Sequence, residues 1–251
     1  MKKFFIYLTV LIGLFLIPDL IFARNTKVIP YPNNSDINTE GAAAAPKEIN
    51  HKKSKYFKTP NIFEMTSNKE LRVLTHYPTY QQTTEYSCGP AAALTVLWYY
   101  NYKNYTENNL VKTMGTSSQT GTTVKGMADF FRNLGWKVKV NDKEKTFNTY
   151  ENFADFIIQQ LELKHPILVV NVTWGGHWRV IIGYDTIGTD SNLDDVLIFA
   201  DPYDTADHNQ DGYTIENGQK FFWTWFDNNV LPKDERNQPF VLAYPEENTK
   251  N

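Results

Sequence analysis

One cysteine, Cys88, is all that the 251-residue sequence holds. That scarcity excludes an intrachain disulfide framework and every cysteine-rich zinc pattern. Surplus charge is missing too: 25 Lys and Arg stand against 28 Asp and Glu, for a formal net charge of −3. A nucleic-acid binder carries a basic excess on one face. The run His51-Lys52-Lys53-Ser54-Lys55 is local and reads as a solvated segment, so nucleic acid is not an expected partner. The sequence also lacks an internal repeat and any apolar stretch of the roughly 20 residues that a membrane-crossing helix needs.

What is present begins with an export signal. Met1-Lys2-Lys3 gives a positive start, Phe4 to Ile17 is almost unbroken apolar sequence, and Leu20-Ile21-Phe22-Ala23 ends in a small residue suited to cleavage. This pattern predicts a signal peptide over residues 1–23, no permanent membrane span after its removal, and a periplasmic or secreted protein. No cysteine follows the apolar run, which excludes a lipid-modified terminus. From Arg24 the chain is rich in Asn, Pro, Lys and Ser and reads as a polar linker or pro-like arm over 24–70. The remainder, 71–246, reads as one domain: 41% hydrophobic residues overall, with 16 Phe, 15 Tyr and 6 Trp, suffice for one substantial core. A monomer is expected.

Within that domain helical patterns precede strand patterns. Ser87 is placed to cap a helix that starts at Cys88, with Pro90 in its first turn, and that runs through apolar residues to Tyr100. Thr106-Glu107 opens a second helix and Thr123 a third, with Val124, Met127, Phe130 and Phe131 as its apolar positions and Gly135 as its stop. Trp136 to Val140 alternates as a strand, and Tyr150 to Leu163 is helical with Phe153, Phe156, Ile157 and Leu161 on one face. Ile167–Val172, Trp178–Tyr184 and Val196–Ala200 then read as strands, the first two joined by Trp174-Gly175-Gly176. Helices followed by a sheet give the α+β class. The aromatic run Phe221 to Phe226 is expected to be core.

Cys88 sits where the positive end of a helix dipole and unpaired first-turn amides favour a thiolate. A free cysteine can equally be a small buried hydrophobe. Two features favour a nucleophile: an unpaired thiol is a liability in an exported protein unless it is used or hidden, and Gly89 beside it is expected to leave space for a substrate. Such a nucleophile wants an imidazole to take and return a proton, and an acid or amide to orient that imidazole. His51, His76, His165 and His208 lie in polar loops, an arm or a turn, whereas His177 opens an apolar strand after two glycines. Asp201 leaves the strand Leu197-Ile198-Phe199-Ala200 just before Pro202 and reaches His177 if the two strands are neighbours. Gln82, six residues before Cys88, could join the Cys88 backbone N–H as an oxyanion donor.

Together Gln82-x5-Cys88-Gly89-Pro90, Gly176-His177-Trp178 and Ala200-Asp201-Pro202 resemble the papain-like clan of cysteine peptidases. The nearest branch in pattern is that of the bacteriocin-processing (double-glycine leader) peptidases and their stand-alone secreted relatives, over about Thr79 to Asn228. The resemblance implies a helical part bearing the nucleophile, packed on an antiparallel sheet bearing His and Asp. It implies Cys88 as nucleophile, His177 as base then acid, Asp201 as orienter and Gln82 in the oxyanion hole, with a peptide or protein substrate and no cofactor. Bacteriocin-processing members are fused to transporters, so their leader substrate is not carried over to a chain with a signal peptide. An acyl transferase using the same thioester, or a silent peptide-binding module, fits the same residues. Asp204, Asp207, Asn209 and Asp211 with Gly212 resemble the front half of a calcium loop, but Gly218 stands where the bidentate Glu belongs, and a solvated turn is the reading adopted.

Overall fold

The computed structural model describes residues 60–141, 146–205 and 209–246. The expected signal peptide over residues 1–23, most of the expected polar arm, and Asp207 and His208 lie outside the described residues. Residues 60–70 contribute a short 3-10 turn, Ile62–Glu64, whose Ile62 is buried in the core.

The helices begin where short polar side chains satisfy first-turn amides. Thr106 accepts from Asn109 N at the head of α2 (Glu107–Thr113), Thr123 from Gly126 N at the head of α3 (Val124–Asn133), and Thr149 from Asn152 N at the head of α4 (Tyr150–Glu162). The helix before them, α1 (Cys88–Tyr99), is apolar on every side, and every residue from Cys88 to Trp98 is buried. A helix without a polar face belongs inside.

Seven strands form one antiparallel sheet in the order β2 (Lys137–Val140), β7 (Phe240–Tyr244), β3 (Ile167–Asn171), β4 (His177–Asp185), β5 (Val196–Ala200), β6 (Tyr213–Asn217). The seventh, β1 (Leu71–Val73), pairs with the far half of β4, Val73 opposite Gly183. β4 is buried along nearly its whole length, which fits its unbroken apolar centre. Its successive side chains serve opposite sides. Trp178 sends its indole N–H to Thr122 O at 2.8 Å, while the Arg179 guanidinium lies 4.0 Å from the Phe199 ring centre and 5.7 Å from that of Phe221, on α5 (Gly218–Trp223). Below Arg179, Phe153, Phe199, Phe221 and Trp225 form an aromatic cluster.

The run Phe221–Phe226 divides. Phe221, Phe222 and Trp225 are core as expected, but Trp223 is 65% exposed, because a one-and-a-half-turn helix cannot bury both its faces, and Phe226, beyond the helix, is 38% exposed. Gly89 corrects a second expectation. A Cβ there would fall 2.4 Å from Thr122 Oγ1, so this glycine exists for close packing against Thr122 and does not open space for a substrate.

Gly89, Thr122 and Trp178 thus stitch the start of α1 to the start of β4. Gly89→Ala must displace Thr122 and loosen the indole bond. It should destabilise the protein by about 1–3 kcal/mol, read as a lowered denaturation midpoint.

Candidate active site

The sequence from Thr79 to Ser87 enters α1 through a tightly bonded loop. Ser87 occupies the N-cap position with φ −98° and ψ 19° but makes no cap bond with its side chain. Its hydroxyl instead receives hydrogen bonds from Thr84 N (3.2 Å) and Thr84 Oγ1 (2.7 Å). The expected cap is therefore wrong: a local Thr84–Ser87 turn outcompetes it. The consequence is chemical, since the first-turn amides at Cys88 are left without a capping side chain at the positive end of the helix.

Glu107 anchors this loop from α2. It is 1% exposed and accepts from Tyr80 OH (3.0 Å), Thr83 N (3.0 Å) and Thr83 Oγ1 (2.7 Å). Burial raises its carboxyl pKa, and the hydrogen bonds from Ser87, Thr83 and Tyr80 work against that rise. Gln82, next to Thr83, is buried; its Nε2 donates to Thr84 O at 2.7 Å and its backbone N–H to Pro202 O at 2.9 Å. Its Oε1 has no hydrogen-bond partner among the described residues. The Pro202 bond ties the Gln82 segment to the residue directly after Asp201.

β4 and β5 are neighbours, with Val180 opposite Ala200. The start of one strand and the end of the other therefore meet, and His177 Nε2 lies 2.7 Å from Asp201 Oδ1. Both side chains are buried, His177 at 3% and Asp201 at 6% exposure. The second Asp201 contact on Oδ1 is Tyr203 N (2.8 Å), and Oδ2 accepts from Thr214 Oγ1 (3.0 Å). An ionised carboxylate only accepts, so Nε2 carries the proton and Nδ1 is the ring atom left for chemistry. Cys88 stands within hydrogen-bond and electrostatic reach of the same ring. Burial alone would lower the His177 pKa, but the charge and hydrogen bond of Asp201, with Cys88 adding to them, push it up to about 9. Burial would raise the Asp201 pKa, but His177, Arg179 and the Tyr203 N–H hold it well below the usual carboxylate range.

The structure thus brings Cys88, His177 and Asp201 together from α1, β4 and the end of β5, and fixes Gln82 in the loop ahead of the cysteine. A protein-family model described as the Peptidase_C39 like family matches residues 74–229, which contain all four residues. The chain belongs to that family. Its α+β fold, with the cysteine on a buried helix and His and Asp on an antiparallel sheet, is the papain-like arrangement that the sequence resemblance implied, and the family is of cysteine-peptidase type. Among solved structures, the chain is similar to the peptidase domain of Streptococcus ComA, a bi-functional ABC transporter involved in a quorum-sensing pathway. That match has 21% identity over 68% of this chain and 100% of the other, with a TM-score of 0.46. It is also similar to a double-glycine motif protease from an AMS/PCAT transporter, solved in complex with the leader peptide, at 18% identity over 67% and 91% of the two chains with a TM-score of 0.42. A third similar structure, UfSP from C. elegans, shows 11% identity over 69% and 34% with a TM-score of 0.41. No curated protein matches the chain.

Several groups around this C39-like site were not visible in the sequence. Thr214 and Arg179 surround Asp201, and Glu107 looked like an ordinary first-turn acid. Asp227 is fully buried, takes hydrogen bonds from Asn229 N and Val230 N on Oδ1, and presses Oδ2 against Gly176, whose φ of +121° and lack of a side chain permit the approach. Burial raises the Asp227 pKa. Of the calcium-loop candidates, Asp204 accepts from Gly212 N at 2.8 Å, and Asn209 bonds the carboxylate of Asp211. Among the described residues no group of three or more His, Cys, Asp and Glu could hold a metal ion. His76 instead pairs with Glu64 at 3.2 Å, and His165 stacks on Tyr244 with ring centres 3.8 Å apart.

The raised His177 pKa has a sign for stability. Between the unfolded value of about 6.5 and about 9 the native state binds more protons than the unfolded state, so stability falls as pH rises through that interval. The advantage of wild type over His177→Ala in unfolding free energy should therefore be larger at pH 6 than at pH 10, by up to about 3 kcal/mol, in paired urea titrations.

Proposed function

We propose that the protein is an exported cysteine peptidase that hydrolyses peptide or amide bonds through Cys88, His177, Asp201 and Gln82. The observation that carries this reading is the 2.7 Å contact of His177 Nε2 with Asp201 Oδ1, with Cys88 in reach of the same ring. Membership of a peptidase family supports it.

In this mechanism His177 Nδ1 takes the Cys88 proton, and Sγ attacks the scissile carbonyl carbon. The oxyanion that forms accepts hydrogen bonds from the Cys88 backbone N–H and from the Gln82 amide, whose Nε2 keeps one proton beyond the bond to Thr84 O. As the tetrahedral species collapses, the C–N bond breaks and His177 returns its proton to the leaving amine. A thioester remains on Cys88. Water then attacks it with His177 as base, the C–S bond breaks, and the carboxylic product leaves as the thiol regains its proton. Asp201 keeps the ring in the tautomer that points Nδ1 at sulfur throughout.

Digestion of an unbiased peptide library should give cleavage with wild type and none with Cys88→Ala, while the melting curve of the variant stays close to wild type. Asp201→Asn should retain a residue of activity through a misoriented ring. Equal loss of folding and activity in both variants would overturn the assignment, and products joined to an added free amine in place of hydrolysis would mark an acyl transferase. The export proposal rests on the Met1–Ala23 pattern. N-terminal sequencing of the protein recovered from a secreting host should begin at Arg24, and an intact Met1 would sink it.

A further inference from the structure

We propose that Thr214 is a positioning residue of the Cys88 reaction, its hydroxyl fixing the carboxylate of Asp201 and thereby the tilt of the His177 ring. This inference rests on the reading of Cys88, His177 and Asp201 as a working triad.

The argument starts from the two oxygens of Asp201. Oδ1 takes both the His177 Nε2 contact at 2.7 Å and the Tyr203 N–H at 2.8 Å. Two bonds on one oxygen pin Oδ1 but leave the carboxylate plane able to pivot about that atom through coupled χ1 and χ2 rotation. The Thr214 hydroxyl, 3.0 Å from Oδ2, supplies the second fixed point that defines the plane in which Oδ1 meets the imidazole. Strand pairing puts it there: Tyr213 lies opposite Ala200 and Thr214 opposite Phe199, and Asp201 N donates to Gly212 O at 2.9 Å, continuing the same ladder. A β-branched side chain on a paired strand has little freedom at χ1, so the hydroxyl arrives already aimed. Two residues on, on the same face, Glu216 accepts from Arg179 at 2.9 Å. β6 therefore serves the orienting acid twice, once directly and once by holding the guanidinium whose charge favours the ionised form of Asp201.

The groups that face this cluster are His177 and Arg179 from β4, Cys88 from α1 through the imidazole, and Glu216 from β6. Lys220 of α5 lies 3.7 Å from Glu216, and Tyr203 OH bonds Glu85 at 3.3 Å from the loop before α1.

The test is the rate of Cys88 alkylation by iodoacetamide as a function of pH, in wild type, Thr214→Val, Thr214→Ser and His177→Ala, with melting curves for each. Without its hydroxyl partner Asp201 holds the imidazolium less well, so in Thr214→Val the upper transition of the profile should move to lower pH by about one unit. Peptide cleavage should fall about tenfold. Thr214→Ser should restore both. A Thr214→Val profile that superimposes on wild type, or a loss that Thr214→Ser does not rescue and that follows the melting temperature, overturns the proposal. If His177→Ala also leaves the profile unchanged, the triad reading itself has failed; if only Thr214→Val is silent, the triad stands without Thr214.

Discussion

The pairing of β4 with β5 governs the rest of the molecule's chemistry. Because the strands run antiparallel and in register at Val180 and Ala200, the first residue of one and the residue just past the other come together at one end of the sheet. A slip of one residue would turn His177 to the opposite side and send Asp201 away from it. That register is held by burial on both faces, with Val180, Ile181, Leu197 and Phe199 all inaccessible to solvent. The spacing of His177 and Asp201 is thus a by-product of how apolar side chains pack deeper in the sheet.

Charge inside such a sheet is costly, and the arrangement around Asp201 shows how the cost is offset. A lone buried carboxylate would take up a proton or pull in water. Here the acid is met by an imidazole N–H, a backbone N–H and a hydroxyl, and lies in the field of a guanidinium that has its own acid in Glu216. Removing any one ion would leave another uncompensated, the circumstance in which buried pairs matter most. Glu107 follows the same logic on the other side of Cys88, hydrogen bonds from Tyr80, Thr83 and Ser87 stabilising an acid that burial would otherwise neutralise.

How much of this was legible in the sequence depended on whether the information was local. The helix starts at Thr106 and Thr123, the helix from Tyr150, the strand Val196–Ala200 and the placement of Cys88 and His177 at element starts were all readable from neighbouring residues. β1, β6, β7 and α5 were not read. Leu71–Val73 is too short to carry a period, Tyr213–Asn217 is polar enough to pass for the end of an acidic loop, and both are strands only because β4 and β5 offer edges. Thr214 and Arg179 escaped notice for the same reason, since only strand pairing across β4, β5 and β6 brings them to Asp201. Ser87 and Gly89 were misread from the opposite direction. Each has a familiar local role, cap or spacer, that a contact with Thr84 or with Thr122 displaced.

The indole bond from Trp178 to Thr122 bears on how far α1 and the sheet can move apart. Trp178 is 1% exposed, directly follows His177, and joins the sheet to the segment packed on the first turn of α1. Parting α1 from β4 on that side would expel a buried aromatic ring and break its bond at the same time. The two elements that carry Cys88 and His177 are accordingly locked together at this seam, and their relative placement is fixed by packing and not by a later movement there.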